Sequence, residues 1–69
     1  MADRIVNPAT KQPLNAEDSK RVRDLRRARQ NARKALRSRN PAERADAQAA
    51  LDRIPGLIRR VYVDDLRRS

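Results

Sequence analysis

The fold is decided by residues 15–41, NAEDSKRVRDLRRARQNARKALRSRNP. This stretch contains no Gly, and its only Pro is the last residue, so nothing inside it interrupts a helix. Asn15 is a favourable N-cap, and Glu17 and Asp18 place negative charge in the first turn, where the helix dipole favours it. We therefore predict a long helix over residues 16–38.

The chain after this helix carries the start signal of a second one. Asn40 is a suitable N-cap, Pro41 takes the first helical position, and Glu43 completes a pattern resembling a capping box. The sequence therefore predicts a second helix over residues 41–53.

The dipeptide Pro55-Gly56 combines two helix breakers, so it is predicted to end or kink the second helix. Leu57, Ile58, Val61 and Leu66 fit one helical face, which predicts a third helix over residues 57–67. The run over residues 61–63 would equally suit a short strand because it contains two β-branched residues and a tyrosine. The sequence leaves helix and strand open there.

Residues 1–14 contain Pro8 and Pro13 and read as an extended arm, in which Ile5, Val6 and Leu14 are the only large apolar side chains. The remaining residues, 15–69, are too few for more than one small domain. The expected fold class is thus all-α, a small helical hairpin with an N-terminal arm.

Positive charge is concentrated in one part of the chain. The net charge is +9, from eighteen basic and nine acidic residues. Residues 20–39 hold ten of the bases and one acid, which gives +9, while the other residues hold eight of each sign and sum to zero. A segregated block of this kind is typical of a binding face.

A helical wheel at ~100° per residue divides the first helix into two sides. The apolar side is predicted to pack on the rest of the fold and is half alanine: Val22, Leu25, Ala28, Ala32, Ala35 and Leu36. The opposite side is the candidate anion-binding site and consists of Lys20, Arg23, Arg26, Arg27, Arg29, Arg33, Lys34 and Arg37. Planar guanidinium groups match phosphate and carboxylate in two-point contacts.

Several anions would satisfy such a face. Nucleic-acid phosphate binds through counterion release without base reading, and an acidic protein surface offers carboxylates. The sequence does not separate DNA, RNA and acidic protein. A membrane surface is disfavoured because interfacial helices carry Trp, Phe or Leu where this helix carries alanine, and no apolar stretch approaches ~20 residues.

Enzyme chemistry has no support in the sequence. The chain contains no His and no Cys, so it lacks the usual proton shuttle, thiol nucleophile and zinc ligands. Its single glycine excludes a glycine-rich phosphate loop. We therefore expect no catalytic residues, no metal site, no cofactor and no small-molecule substrate.

Only thirteen of the 69 residues are Val, Leu, Ile or Phe, so the isolated chain is expected to be marginally stable. This favours a structural or accessory component of a larger nucleic-acid-containing assembly, such as a virion or ribonucleoprotein particle, or a homo-oligomer. The residues expected to dock on partners are Ile5, Val6, Leu14, Tyr62 and Val63. The alternative is a free regulator that binds nucleic acid or inhibits a nucleic-acid enzyme. The start of the chain lacks the apolar run of a signal peptide, so we expect a cytoplasmic or particle location.

Overall fold

The computed structural model describes residues 4–68 and contains two helices, α1 (Ala16–Ala35) and α2 (Pro41–Arg68). They run antiparallel and pack on each other, so that Asp18 near the start of α1 contacts Arg68 at the end of α2. The Cα atoms extend over 44 × 26 × 16 Å. The predicted all-α class is confirmed, and the described residues form no strand beyond one isolated bridge.

The start of α1 is where the sequence predicts it. The Asn15 side-chain oxygen accepts a hydrogen bond from the Asp18 backbone N–H at 2.7 Å, which is the capping geometry. The helix ends at Ala35, three residues before the predicted end. Beyond it, the N–H groups of Arg37 and Ser38 bond to carbonyls three residues back, so the last turn tightens and the helix ends.

The turn between the helices is built around Ser38. Its hydroxyl contacts the Glu43 carboxylate and accepts a 3.2 Å hydrogen bond from the Asn40 backbone N–H, while its carbonyl accepts from the Arg44 guanidinium at 2.7 Å. The Asn40 side chain caps α2 by accepting from the Ala42 N–H at 2.9 Å. The predicted start of the second helix at Pro41 is confirmed.

Helix α2 continues through Pro55 and Gly56, so the predicted helix end at residue 53 and the separate third helix over 57–67 are wrong. A proline inside a helix costs about 3 kcal/mol. Apolar residues on both sides of it, Ile54 and Ile58, lie on the face that packs against α1, and breaking the helix would expose that face. The same continuity makes residues 61–63 helical.

The two helices meet along stripes in which spacings of four and three residues alternate, as in left-handed helix pairs. In α1 the buried and half-buried members are Asp18, Val22, Leu25, Arg29, Ala32 and Leu36. In α2 they are Ala47, Leu51, Ile54, Ile58, Val61 and Asp65. This packed face of α1 is rotated relative to the wheel prediction, because Ala28 is exposed and Arg29 is half-buried.

Residues 5–14 form a closed loop, so the predicted extended arm is not confirmed; residues 1–3 lie outside the described range. Val6 and Pro13 make an antiparallel bridge, and the Leu14 N–H donates to the Ile5 carbonyl at 2.7 Å. Lys11 closes the turn with a φ of 58°. The loop covers the end of the helix pair and buries Leu14 completely.

Candidate functional site

The candidate site is the exposed surface of α1 outside its contact with α2. Seven of the eight predicted cations are exposed, six on α1 and Arg37 in the turn just beyond it: Lys20, Arg23, Arg26, Arg27, Arg33, Lys34 and Arg37. We call these seven the α1 cationic face. The eighth, Arg29, is half-buried, because its position belongs to the packed stripe between Val22 and Ala32.

The α1 cationic face has no carboxylate partner within residues 4–68. Of the acids carried by α1, Glu17 pairs with Arg21 at 3.7 Å, and Asp18 is buried against Arg68. That leaves Asp24 as the one exposed acid of α1 without an ion pair among the described residues. The seven cations therefore remain available to an external anion.

Helical geometry spreads these cations along the molecule. From Lys20 to Lys34 the rise is about 21 Å at ~1.5 Å per residue. Towards the end of the helix, Arg33, Lys34 and Arg37 line a shallow depression together with Gln30. Pairs such as Arg23 and Arg27 are like charges four residues apart, which destabilises an isolated helix by a few tenths of a kcal/mol. This repulsion is relieved when an anion lies across them.

The five residues predicted to dock on partners occupy different environments. Leu14 is fully buried within the chain, and Ile5 and Tyr62 are half-buried. Val6 and Val63 are exposed, at 53% and 38%. The structure brings the loop close to this part of α2, because the Asn7 side chain donates to the Tyr62 carbonyl at 3.0 Å.

One polar cluster was not foreseen from the sequence, and we call it the loop–helix junction. Asn7 is fully buried, and its amide nitrogen donates both to the Tyr62 carbonyl and to the Asp65 carboxylate, at 3.0 and 2.9 Å. Ser19 is also fully buried; it accepts from the Ile5 N–H at 3.1 Å and donates to the Leu14 carbonyl at 3.3 Å.

The Asp18–Arg68 pair completes this junction. Asn7-Pro8 signals a turn in the sequence. No local pattern links Asn7 to an acid 58 positions away.

Other kinds of site find no support in the part of the chain that is described. Residues 4–68 contain no group of three or more acids placed to hold a metal ion. Neither α1 nor α2 has the length and apolar character needed to cross a bilayer.

The chain matched no protein-family model, no curated protein and no solved structure. What this chain binds is therefore inferred from the chemistry of the α1 cationic face.

Proposed function

We propose that this chain is a small, non-catalytic nucleic-acid-binding component that holds the phosphate backbone on the α1 cationic face. The observation that carries the proposal is a row of six exposed, unpaired cations along α1, continued by Arg37 in the turn that follows. Because each phosphate contact releases condensed counterions, such a row binds a regular polyanion without reading its bases.

The composition of this side of the helix favours nucleic acid over an acidic protein. Between the cations lie Gln30 and Asn31, and the exposed surface there carries no large apolar side chain. Protein interfaces usually centre on buried aromatic or aliphatic anchors with charges at the rim. A face of cations and amides, with Asp24 as its one acid, lacks such a centre, whereas a phosphate backbone requires none.

In the role we favour, the chain is an accessory component of a larger assembly that contains nucleic acid. With Leu14 inside the fold, docking on protein partners would fall to the exposed apolar residues Val6 and Leu66, since Val63 lines a groove among the arginines of α2. These side chains lie outside the α1 cationic face, so protein and nucleic acid would contact different surfaces of the molecule.

A free nucleic-acid-binding regulator is the second candidate. It is supported by the closed loop and by the absence of any buried, unpartnered side-chain polar atom within the described residues, both of which suit a chain that folds alone. Sedimentation of the purified chain separates the two roles. A regulator should be a cooperatively folded monomer or dimer, whereas an assembly component should aggregate or melt broadly without its partners.

Salt titration tests the binding proposal directly. If about six cations contact phosphate, log affinity for a short duplex should fall against log salt concentration with a slope near −5. The matched control is R4Q/K11Q/R39Q, which removes three positive charges outside both helices and should keep most of that slope. A native slope shallower than about −2 would overturn the proposal.

A further inference from the structure

A second group of arginines lies on α2, outside the α1 cationic face. Arg53, Arg60 and Arg67 recur every seven residues, which places them on one side of the helix about 10.5 Å apart. Together with Arg59 they line an open groove of about 540 Å³, whose other lining residues are Gly56, Leu57, Val63 and Asp64. We call these four residues the α2 arginine groove.

The charges of this groove are also unpaired. None of the four arginines forms an ion pair with an acid in residues 4–68. Asp65 is turned away, since its carboxylate accepts from the buried Asn7 side chain. Asp64 is the one acid that lines the groove, so four positive charges face one negative charge.

The two basic surfaces point in opposite directions. In α1 the packed side centres between Val22 and Ala32. At ~100° per residue, four cations lie roughly 140–180° around the helix from it, Lys20, Arg23, Arg27 and Lys34, and Arg26, Arg33 and Arg37 lie roughly 60–100° from it. In α2 the packed side centres near Ala47 and Ile54, and Arg53, Arg60 and Arg67 lie roughly 115–155° away. Because the packed sides face each other, the α1 cationic face and the α2 arginine groove occupy opposite edges of the hairpin.

We infer that the α2 arginine groove binds a second segment of nucleic acid, so that one chain bridges two segments. The inference rests on the proposed function of α1 and extends it. A single duplex does not reach both edges, because its persistence length of about 50 nm prevents it from bending around a protein whose Cα atoms span 26 × 16 Å in cross-section. The chemistry favours phosphate over a protein helix, since the lining carries four guanidinium groups against one carboxylate.

A bead-capture experiment tests the bridge. A biotinylated duplex on beads is loaded with the full-length chain and washed, and a fluorescent duplex without biotin is then added. Native protein should capture the fluorescent duplex. The variant R53Q/R60Q/R67Q should lower capture at least about tenfold, while its affinity for a single short duplex falls less than about threefold. Circular dichroism establishes that the variant is as helical as the native chain.

The control R4Q/K11Q/R39Q loses the same charge from outside both surfaces and should still capture the second duplex. Equal capture by R53Q/R60Q/R67Q and native protein would overturn the bridge. The bridge would also be overturned if native protein bound the first duplex and captured no second one. That result would leave the proposed binding by α1 intact. Failure to bind even the first duplex would overturn the proposed function itself.

Sedimentation without DNA tests whether the groove is instead a contact between two copies of the chain. Native protein and R53Q/R60Q/R67Q should have the same mass in solution. If the native chain is a dimer and the variant a monomer, the groove is a protein–protein contact and the inference is wrong.

Discussion

The α1 cationic face and the loop–helix junction use polar residues in opposite ways. At the junction, Asn7 and Ser19 are fully buried; the Asn7 side chain makes two hydrogen bonds to α2, and the Ser19 side chain makes two to the N-terminal loop. On the α1 cationic face the charged groups are exposed and have no partner within residues 4–68. Polar groups at the junction therefore serve folding, whereas those on the face contribute nothing to it and repel one another.

This difference predicts that substitutions will separate stability from binding. A change on the packed or junction side should alter the free energy of unfolding, and a change on the α1 cationic face should alter affinity for nucleic acid. The four substitutions below test that separation, in order of decreasing expected effect.

Ala32→Asp should have the largest effect on stability. Ala32 is 7% exposed between the helices, so a charge there loses hydration without gaining a partner and should lower the free energy of unfolding by about 2–4 kcal/mol. Ala28→Asp is the matched control, one turn away on the exposed surface, and should be close to neutral. Urea denaturation of both variants measures the difference. Equal destabilisation would mean that the packed side of α1 is assigned wrongly.

The triple variant R26Q/R33Q/R37Q should weaken duplex binding by about 3 kcal/mol, roughly a hundredfold, if each charge-assisted contact contributes about 1 kcal/mol. Glutamine has nearly the same helix propensity as arginine, and the substitutions remove like-charge pairs. Helix content should therefore stay the same or rise. Titration with labelled duplex and circular dichroism are the measurements. Unfolding of this variant would show that these arginines hold the fold together.

Asn7→Ala should lower the free energy of unfolding by about 1–3 kcal/mol, because the Tyr62 carbonyl and the Asp65 carboxylate lose a buried donor. Affinity for nucleic acid should change little. Asn31→Ala removes the same side chain from an exposed helical position and should be neutral or slightly stabilising. If thermal melts of the two variants coincide, the closed loop does not contribute to stability.

Gly56→Ala should have the smallest effect and the opposite sign. Gly56 lies inside α2, its φ is not positive, and nothing lies within 4 Å of the position that a Cβ would occupy. Alanine should therefore raise the free energy of unfolding by about 0.5–1 kcal/mol. If Pro55-Gly56 formed a turn between two helices instead, the same change would be neutral or destabilising, so the sign reports whether α2 is continuous.

The parts of the fold that depend on local signals were predictable. Asn15 and Asn40 are caps whose partners lie two or three residues away, and both helix starts follow from them. The helix end before Pro55-Gly56 was predicted wrongly. The prediction used only the helix-breaking tendency of proline and glycine, whereas the apolar stripe of α2 continues on both sides of them. The exposure of Ala28 could not be predicted, since a wheel does not give the direction from which α2 approaches.

The candidate site was predictable in composition and only partly in geometry. Segregated charge identified the cations of α1, and seven of the eight are exposed. Arg29 is the exception, because its position belongs to the alternating stripe that packs on α2. The loop–helix junction could not be predicted from local sequence patterns, since Asn7 is separated from Tyr62 and Asp65 by 55 and 58 positions.

The turn around Ser38 has a consequence for the order in which the chain folds. Its hydrogen bonds join residues at most six positions apart, whereas those of Asn7 with α2 and the Asp18–Arg68 contact close segments of 50 to 58 residues. Closing a short segment costs less chain entropy than closing a long one. Contacts between the helices should therefore form first near the Ser38 turn, and the loop–helix junction should form last. In native-state hydrogen exchange, the amides of Asn7 and Leu14 should then open more readily than those around Ile54.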